Sequence, residues 1–316
     1  MKKKLISSVL ACAFCLAALP VGAMAAEADY ASFEEGLAEK DPILYISDKA
    51  DWDAFVVKSA QVSADQRVQL TTNLNLEGAS YQAIQFEGDF DGGNNTISNA
   101  TFTPNGENCG MFAKISVDQK IANLTLENIS AKGNVLTTTY SGVLAGQVYG
   151  GDGHRATTLV QNVHVIGGSA TGRTAAGVVG YTFLNTMRYC SADGVSVTGL
   201  ANAGGITGLT YGDIISCYTD NLSLTALQAR GRGGITGKLL ESGSIVNCWY
   251  TYEAIYGEEQ LPGEVDGNFY LNKESDVKVQ YLGARDWAAT QSGWTVTLED
   301  DAVVISYAID TTYEFV

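Results

Sequence analysis

The chain has two histidines and four prolines in 316 residues, and only 19 basic residues against 35 acidic ones. With His154 and His164 alone available, any Ser-His-Asp or Cys-His mechanism has to be built on one of them. Neither is near a recognisable nucleophile motif: His154 falls in a glycine-rich stretch, and His164 lies between Val163 and Val165. The shortage of bases leaves a net charge of −16. That excess argues against nucleic acid and anionic membrane surfaces, because like charges repel and no basic stripe offsets them. Neutral glycans, proteins or cations are the expected partners. A membrane-length run is also missing, since the mainly apolar residues 5–19 fall short of the ~20 that a span needs. No transmembrane anchor is expected.

Lys2, Lys3 and Lys4 precede that apolar run, and Pro20 leads into the small residues 22–26. The pattern is that of a secretory signal peptide, residues 1–25, cleaved after Ala25, with the mature chain secreted or at the cell surface. A lipid on Cys12 is disfavoured by the very short apolar run ahead of it. Cleavage removes three lysines and no acid, taking the charge from −16 to −19. It also removes Cys12 and Cys15, leaving Cys109, Cys190, Cys217 and Cys248. No Cys-x-x-Cys or paired Cys/His spacing exists among those four, so a metal site is not expected.

What is abundant is glycine, 35 residues, arranged in a repeat. Five steps, Gly110-Met111-Phe112-Ala113, Gly142-Val143-Leu144-Ala145-Gly146, Gly177-Val178-Val179-Gly180, Gly204-Gly205-Ile206-Thr207-Gly208 and Gly233-Gly234-Ile235-Thr236-Gly237, are each followed by a short strand. The strands begin at Ile121, Val160, Met187, Ile214 and Ile245, and their fourth positions are Leu124, Val163, Cys190, Cys217 and Cys248. One supersecondary unit stacking on copies of itself, a β-helix, explains this spacing. Glycine serves its corners by accepting φ > 0 or close backbone approach. First, fourth and sixth positions should face inward and the fifth outward. A bend is expected at the third, where Asn123, Asn162 and Asn247 satisfy turn groups. The cysteines then fill a core column, although a disulfide between neighbouring coils stays open, because strands ~4.8 Å apart suit bridged Cα atoms ~4.4–6.8 Å apart.

Around this array, residues 26–42 read as a loose acidic leader. Ile43 to Ile46 forms a strand, and residues 48–60 a short helix with Ser47 as N-cap and Trp52, Phe55 and Val56 at helical spacing. That helix covers the apolar end of the first coil. The solenoid spans residues 43–256, with the repeats in 110–252. The loop 149–156 accounts for the one long interval. Residues 257–316 form a β-rich C-terminal cap, with strands 294–298 and 302–307 joined by Glu299-Asp300-Asp301.

Gly177-Val178-Val179-Gly180 with Met187-Arg188-Tyr189-Cys190, Gly205-Ile206-Thr207-Gly208 with Ile214-Ile215-Ser216-Cys217, and Gly234-Ile235-Thr236-Gly237 with Ile245-Val246-Asn247-Cys248 resemble the GLUG-motif family of secreted bacterial proteins. Residues 86–97 and Gly110-Met111-Phe112-Ala113 are similar to the opening of such arrays. Ala113 and Val143 depart from it where a glycine is usual. The resemblance covers roughly residues 43–252. It implies a right-handed, single-stranded parallel β-helix on an exported, often adhesin-like protein, and no shared catalytic residues to carry over. Some members are parts of large surface peptidases in which the repeats look accessory.

The expected function is therefore non-catalytic binding of a glycan or a host or cell-surface protein. The candidate site is the fifth column, Thr125, His164, Ser191, Tyr218 and Trp249, with Tyr218 and Trp249 an adjacent aromatic pair suited to sugars or protein hot spots. The competing expectation is that the C-terminal segment covers these rings. An alternative function is a β-helix polysaccharide lyase or glycosidase, drawing on Arg155, Arg173, Arg188, Arg230 or Arg232 and on an Asp193/Asp220 carboxylate pair. A structural cell-envelope module is a third. No cofactor is expected. Asp89-Phe90-Asp91-Gly92 matches the start of a calcium loop but lacks the later ligands, so a turn is the better reading. Leu261-Pro262-Gly263-Glu264 is similar to a sortase signal, yet no apolar tail follows.

Overall fold

A strand with apolar residues at its first, fourth and sixth positions keeps them on one side only if the backbone turns between the first and fourth. In the computed structural model it does so at the third. Asn94, Asn123, Asn162, Tyr189, Ser216 and Asn247 all take φ of 53° to 60°, the left-handed region. Asparagine tolerates that region through local hydrogen bonds. Asn162 Nδ2 donates to Asn123 Oδ1 at 3.1 Å, and Asn123 Nδ2 to Asp91 Oδ1 at 3.2 Å, so side chains also tie the paired strands together at the bends. A second set of bends follows at Asn99, Asn128, Gly167, Gly194 and Asn221, with φ of 50° to 65°.

The structure describes residues 30–151, 158–228, 231–240 and 243–252, and beyond them the strand backbones 256–259, 264–266, 269–270, 294–299 and 302–307. The elements described below lie in the unit Ala31–Val316. The signal peptide, His154, Arg155, Arg230 and most of the 149–156 loop lie outside the described residues.

The protein is all-β with two short α-helices. Between the bends, strands pair in parallel with their repeat equivalents: Val160 with Ile121 and Met187, Met187 with Ile214, and Ile214 with Ile245. These strands belong to a 20-stranded sheet. The glycine steps lead into a second, six-stranded parallel sheet, Phe112–Ile115, Ala145–Tyr149, Val179–Phe183, Thr207–Thr210, Thr236–Leu239 and Tyr256–Glu259. Near the C-terminus, Trp294–Glu299 and Ala302–Tyr307 pair antiparallel.

The step glycines owe their place to crowding. Gly110, Gly142, Gly177 and Gly205 all have φ outside the left-handed region, but a Cβ on any of them would collide with a backbone oxygen of the next glycine step, that of Gly142, Val178, Gly205 and Gly234 respectively. Leu124, Val163, Cys190, Cys217 and Cys248 are all buried in one hydrophobic core. Burial of each aliphatic side chain contributes about 1.5–3 kcal/mol.

At the N-terminal end the helix Lys49–Lys58 buries Trp52 and Phe55. Phe55 meets Phe33, Trp52 and Phe86 edge-on at 5.5–5.8 Å, a favoured aromatic geometry. The N-cap is Asp48, whose side chain accepts from Asp51 N at 2.9 Å, and not Ser47, whose hydroxyl donates to Asp51 Oδ2 at 2.7 Å. The leader is also more ordered than its composition suggests. Phe33–Glu39 is a helix, started by a capping box between Ser32 and Glu35 and anchored by buried Phe33.

Candidate functional site

The expected register of the fifth column is present: Thr125 pairs with His164, His164 with Ser191, Ser191 with Tyr218, and Tyr218 with Trp249. Its expected exposure is not. Tyr218 is 8% exposed, His164 6%, Ser191 1% and Trp249 0%, so these side chains do not offer a free surface. The pleat fixes which way a side chain points, but not what lies beyond it. At a strand spacing of ~4.8 Å, bulky side chains on paired strands also cover one another. His164 is further held by Ser191 Oγ at 2.9 Å and Asn162 Oδ1 at 3.0 Å. Burial pulls its pKa down to about 4, so it is neutral at ordinary pH.

Asp193 and Asp220 are register partners, as expected, but each has a structural partner. Asp193 accepts from Asn221 Nδ2 at 3.0 Å, and Asp220 from Thr251 Oγ1 at 2.9 Å. Arg188 donates to Gln161 Oε1. In the calcium-like segment, Asp89 accepts from Lys120 N at 2.7 Å and Asp91 from Gly93 N at 2.9 Å, which makes them turn caps. Among the described residues no three His, Cys, Asp or Glu side chains gather as a metal would require. Cys190, Cys217 and Cys248 are free and buried, as is Cys109. Burial holds the Cys190 and Cys217 thiols well above the usual range and pushes Cys109 up to about 12.

The aromatic surface is on the other sheet. Tyr181 and Phe183 project from the strand Val179–Phe183 and Tyr149 from Ala145–Tyr149, while Tyr211 follows Thr207–Thr210. All are half-buried, as is neighbouring Tyr140. Tyr149 stacks on Phe183 with centroids 5.2 Å apart and planes at 8°, and Tyr140 on Tyr181 at 4.7 Å and 18°. Tyr211 breaks the pattern, standing edge-on to Phe183 at 5.4 Å and to Tyr181 at 6.4 Å. Lys114 Nζ lies 4.9 Å from the Tyr149 ring centroid, a cation–π contact. Burial, with help from Glu107, raises the pKa of Tyr140, and burial raises that of Tyr181 well above the usual phenol range. Both phenols therefore stay neutral and able to donate. In the sequence Tyr149, Phe183 and Tyr211 each fall three residues after the last glycine of a step, Gly146, Gly180 and Gly208, a spacing that marks them as equivalent, whereas Tyr140 precedes its step and carries no such signal.

Beside this face is a cleft of about 480 Å³ between the end of the helix Lys49–Lys58 and the segment 82–87, with Lys114 in its wall.

The fold and its surface define an all-β protein built on parallel sheets, one of which carries a half-exposed row of aromatic rings. No family model matches the chain, and no curated protein matches it. A crystal structure from Bacteroides ovatus, named as a "putative immunoglobulin A1 protease", aligns over 84% of this chain and 92% of its own, with a TM-score of 0.57 and 14% identity. At that identity the likeness is one of fold.

Proposed function

We propose that the chain is a right-handed, single-stranded parallel β-helix of the GLUG-motif kind, exported to the surface or medium. Its role is non-catalytic, adhesin-like binding of a glycan or protein at the aromatic face of the six-stranded sheet. The observation that carries this reading is the five-ring row formed by Tyr149, Tyr181, Phe183 and Tyr211 together with Tyr140 from the larger sheet, since half-buried tyrosines are typical of recognition surfaces. The coil-to-coil register supports the β-helix. The burial of His164 supports the non-catalytic role, because it takes one of two histidines away from any substrate. The protease named for the Bacteroides structure implies no activity here at 14% identity.

The test is binding of the full chain to glycan and matrix-protein arrays. A Tyr181→Ala/Tyr211→Ala double variant that keeps its circular-dichroism spectrum should lose binding. Unchanged binding would place the contact elsewhere. Incubation with neutral and acidic polysaccharides, with and without calcium, and with immunoglobulin A1 should leave all of them uncut.

A further inference from the structure

Lys114 belongs to two surfaces at once. Its ammonium lies 4.9 Å from the Tyr149 ring, and its side chain lines the cleft at the end of the helix Lys49–Lys58. The cleft, about 480 Å³, is of a size that holds a sugar unit. Its apolar lining comes from Val56, Ile84 and Phe86, and its polar lining includes the amides of Gln82, Gln85 and Asn105 and the exposed carboxylate of Glu87, which opposes a second negative charge on a ligand. Among the described residues the ion pairs are Lys49 with Asp53 and Lys58 with Glu34, and no carboxylate lies within 4.0 Å of Lys114 Nζ.

The rings next to it have their faces occupied. Tyr149 has Phe183 against one face and Lys114 near the ring, and Tyr181 is stacked on Tyr140. What such stacks leave for a ligand is ring edges, which carry partial positive charge, together with phenol hydroxyls. Donors, positive edges and one full cation suit an anionic group. The net charge of −16 acts against a polyanion, whose many charges would be repelled within a Debye length of ~8–10 Å.

Building on the reading that this face binds glycan, we propose that the cleft receives a terminal acidic sugar bearing a single carboxylate. The carboxylate pairs with Lys114 while neutral sugars of the same chain cross Tyr149 and Phe183 toward Tyr211. Hydroxyls and amides that both donate and accept match a polyol better than a peptide backbone.

Calorimetric titration of the full chain with sialyllactose, lactose, heparin and a peptide ending in a free carboxylate tests this. Sialyllactose should bind most tightly. Lys114→Gln should weaken it about ten- to a hundred-fold, as for loss of a charged hydrogen bond, and Lys114→Arg should restore most of the affinity. Ala60→Trp, which fills the cleft from an exposed position, should abolish it with unchanged melting. Lactose binding as tightly as sialyllactose, indifference to Lys114→Gln, or preference for heparin or the peptide would overturn the assignment. If neutral glycans bind and only Tyr181→Ala/Tyr211→Ala removes them, the acidic-sugar site fails while the glycan-binding face stands. If none of the probes and no array glycan binds, both fail.

Discussion

His164 Nε2 sits 3.0 Å from Asn162 Oδ1, two residues earlier on the same strand, and its Nδ1 sits 2.9 Å from Ser191 Oγ on the neighbouring parallel strand. Because Asn162 Nδ2 already donates to Asn123 Oδ1, its oxygen is the acceptor, which puts the imidazole proton on Nε2 and makes Ser191 the donor to Nδ1. The histidine thus closes a ladder of bend asparagines instead of facing a ligand.

Acid should loosen this arrangement. The folded pKa, about 4, lies below the ordinary 6.5, so between those values the unfolded chain binds more protons. The stabilisation is full above pH 6.5, declines as the pH falls toward 4 and is gone below it. A shift of that size is worth roughly 3 kcal/mol. Urea melts of wild type and His164→Gln from pH 7 to 4 should show the wild type losing about that much more. Parallel pH profiles for the two proteins would refute the linkage.

Thiol reactivity follows from burial. Cys190 and Cys217 are fully buried with raised pKa, and only the thiolate attacks electrophiles. Iodoacetamide at pH 8 should leave both unlabelled in the folded protein and modify both in guanidinium, as read by peptide mass. Protection that persists after unfolding without reductant would instead reveal a disulfide.

Backbone strain gives a stabilising substitution. Tyr189 holds φ of 55° at a bend where the equivalent residues on other coils include four asparagines, and the left-handed region costs a non-glycine, non-asparagine residue about 1–2 kcal/mol. Part of that gain is offset by lost ring packing, so Tyr189→Asn should stabilise the protein by about 0.5–1 kcal/mol in denaturant melts. Clear destabilisation would mean that the ring contributes more than the bend costs.

The repeat made the register readable because it is periodic. Cys190, Cys217 and Cys248 announce equivalent positions, and Asn123, Asn162 and Asn247 announce the bends between them. Tyr189 and Ser216 adopt the same bend without the side chain that signals it. The aromatic row was legible only in part. Tyr149, Phe183 and Tyr211 do share a signal, each sitting three residues after the last glycine of its step, but Tyr140 and Tyr181 do not share that spacing, and only the strand pairing shows that the five rings meet. For Tyr218 and Trp249 the alternation along the strand left exposure and cover both open, because it carries no information about what lies beyond the ring, and the structure has both buried. The helix Phe33–Glu39 was legible through Ser32 and Glu35, but its acidic composition suggested a tail.

From Val160 through Met187 to Ile214, register partners recur at an interval of 27 residues, with the same bend and the same inward column each time. Removing residues 187–213, or duplicating them, would present every neighbouring strand with an equivalent partner and leave both ends of the array as they are. Length changes of 27 residues therefore keep the strand pairing intact, where an insertion of another size within a strand would put the residues after it out of register.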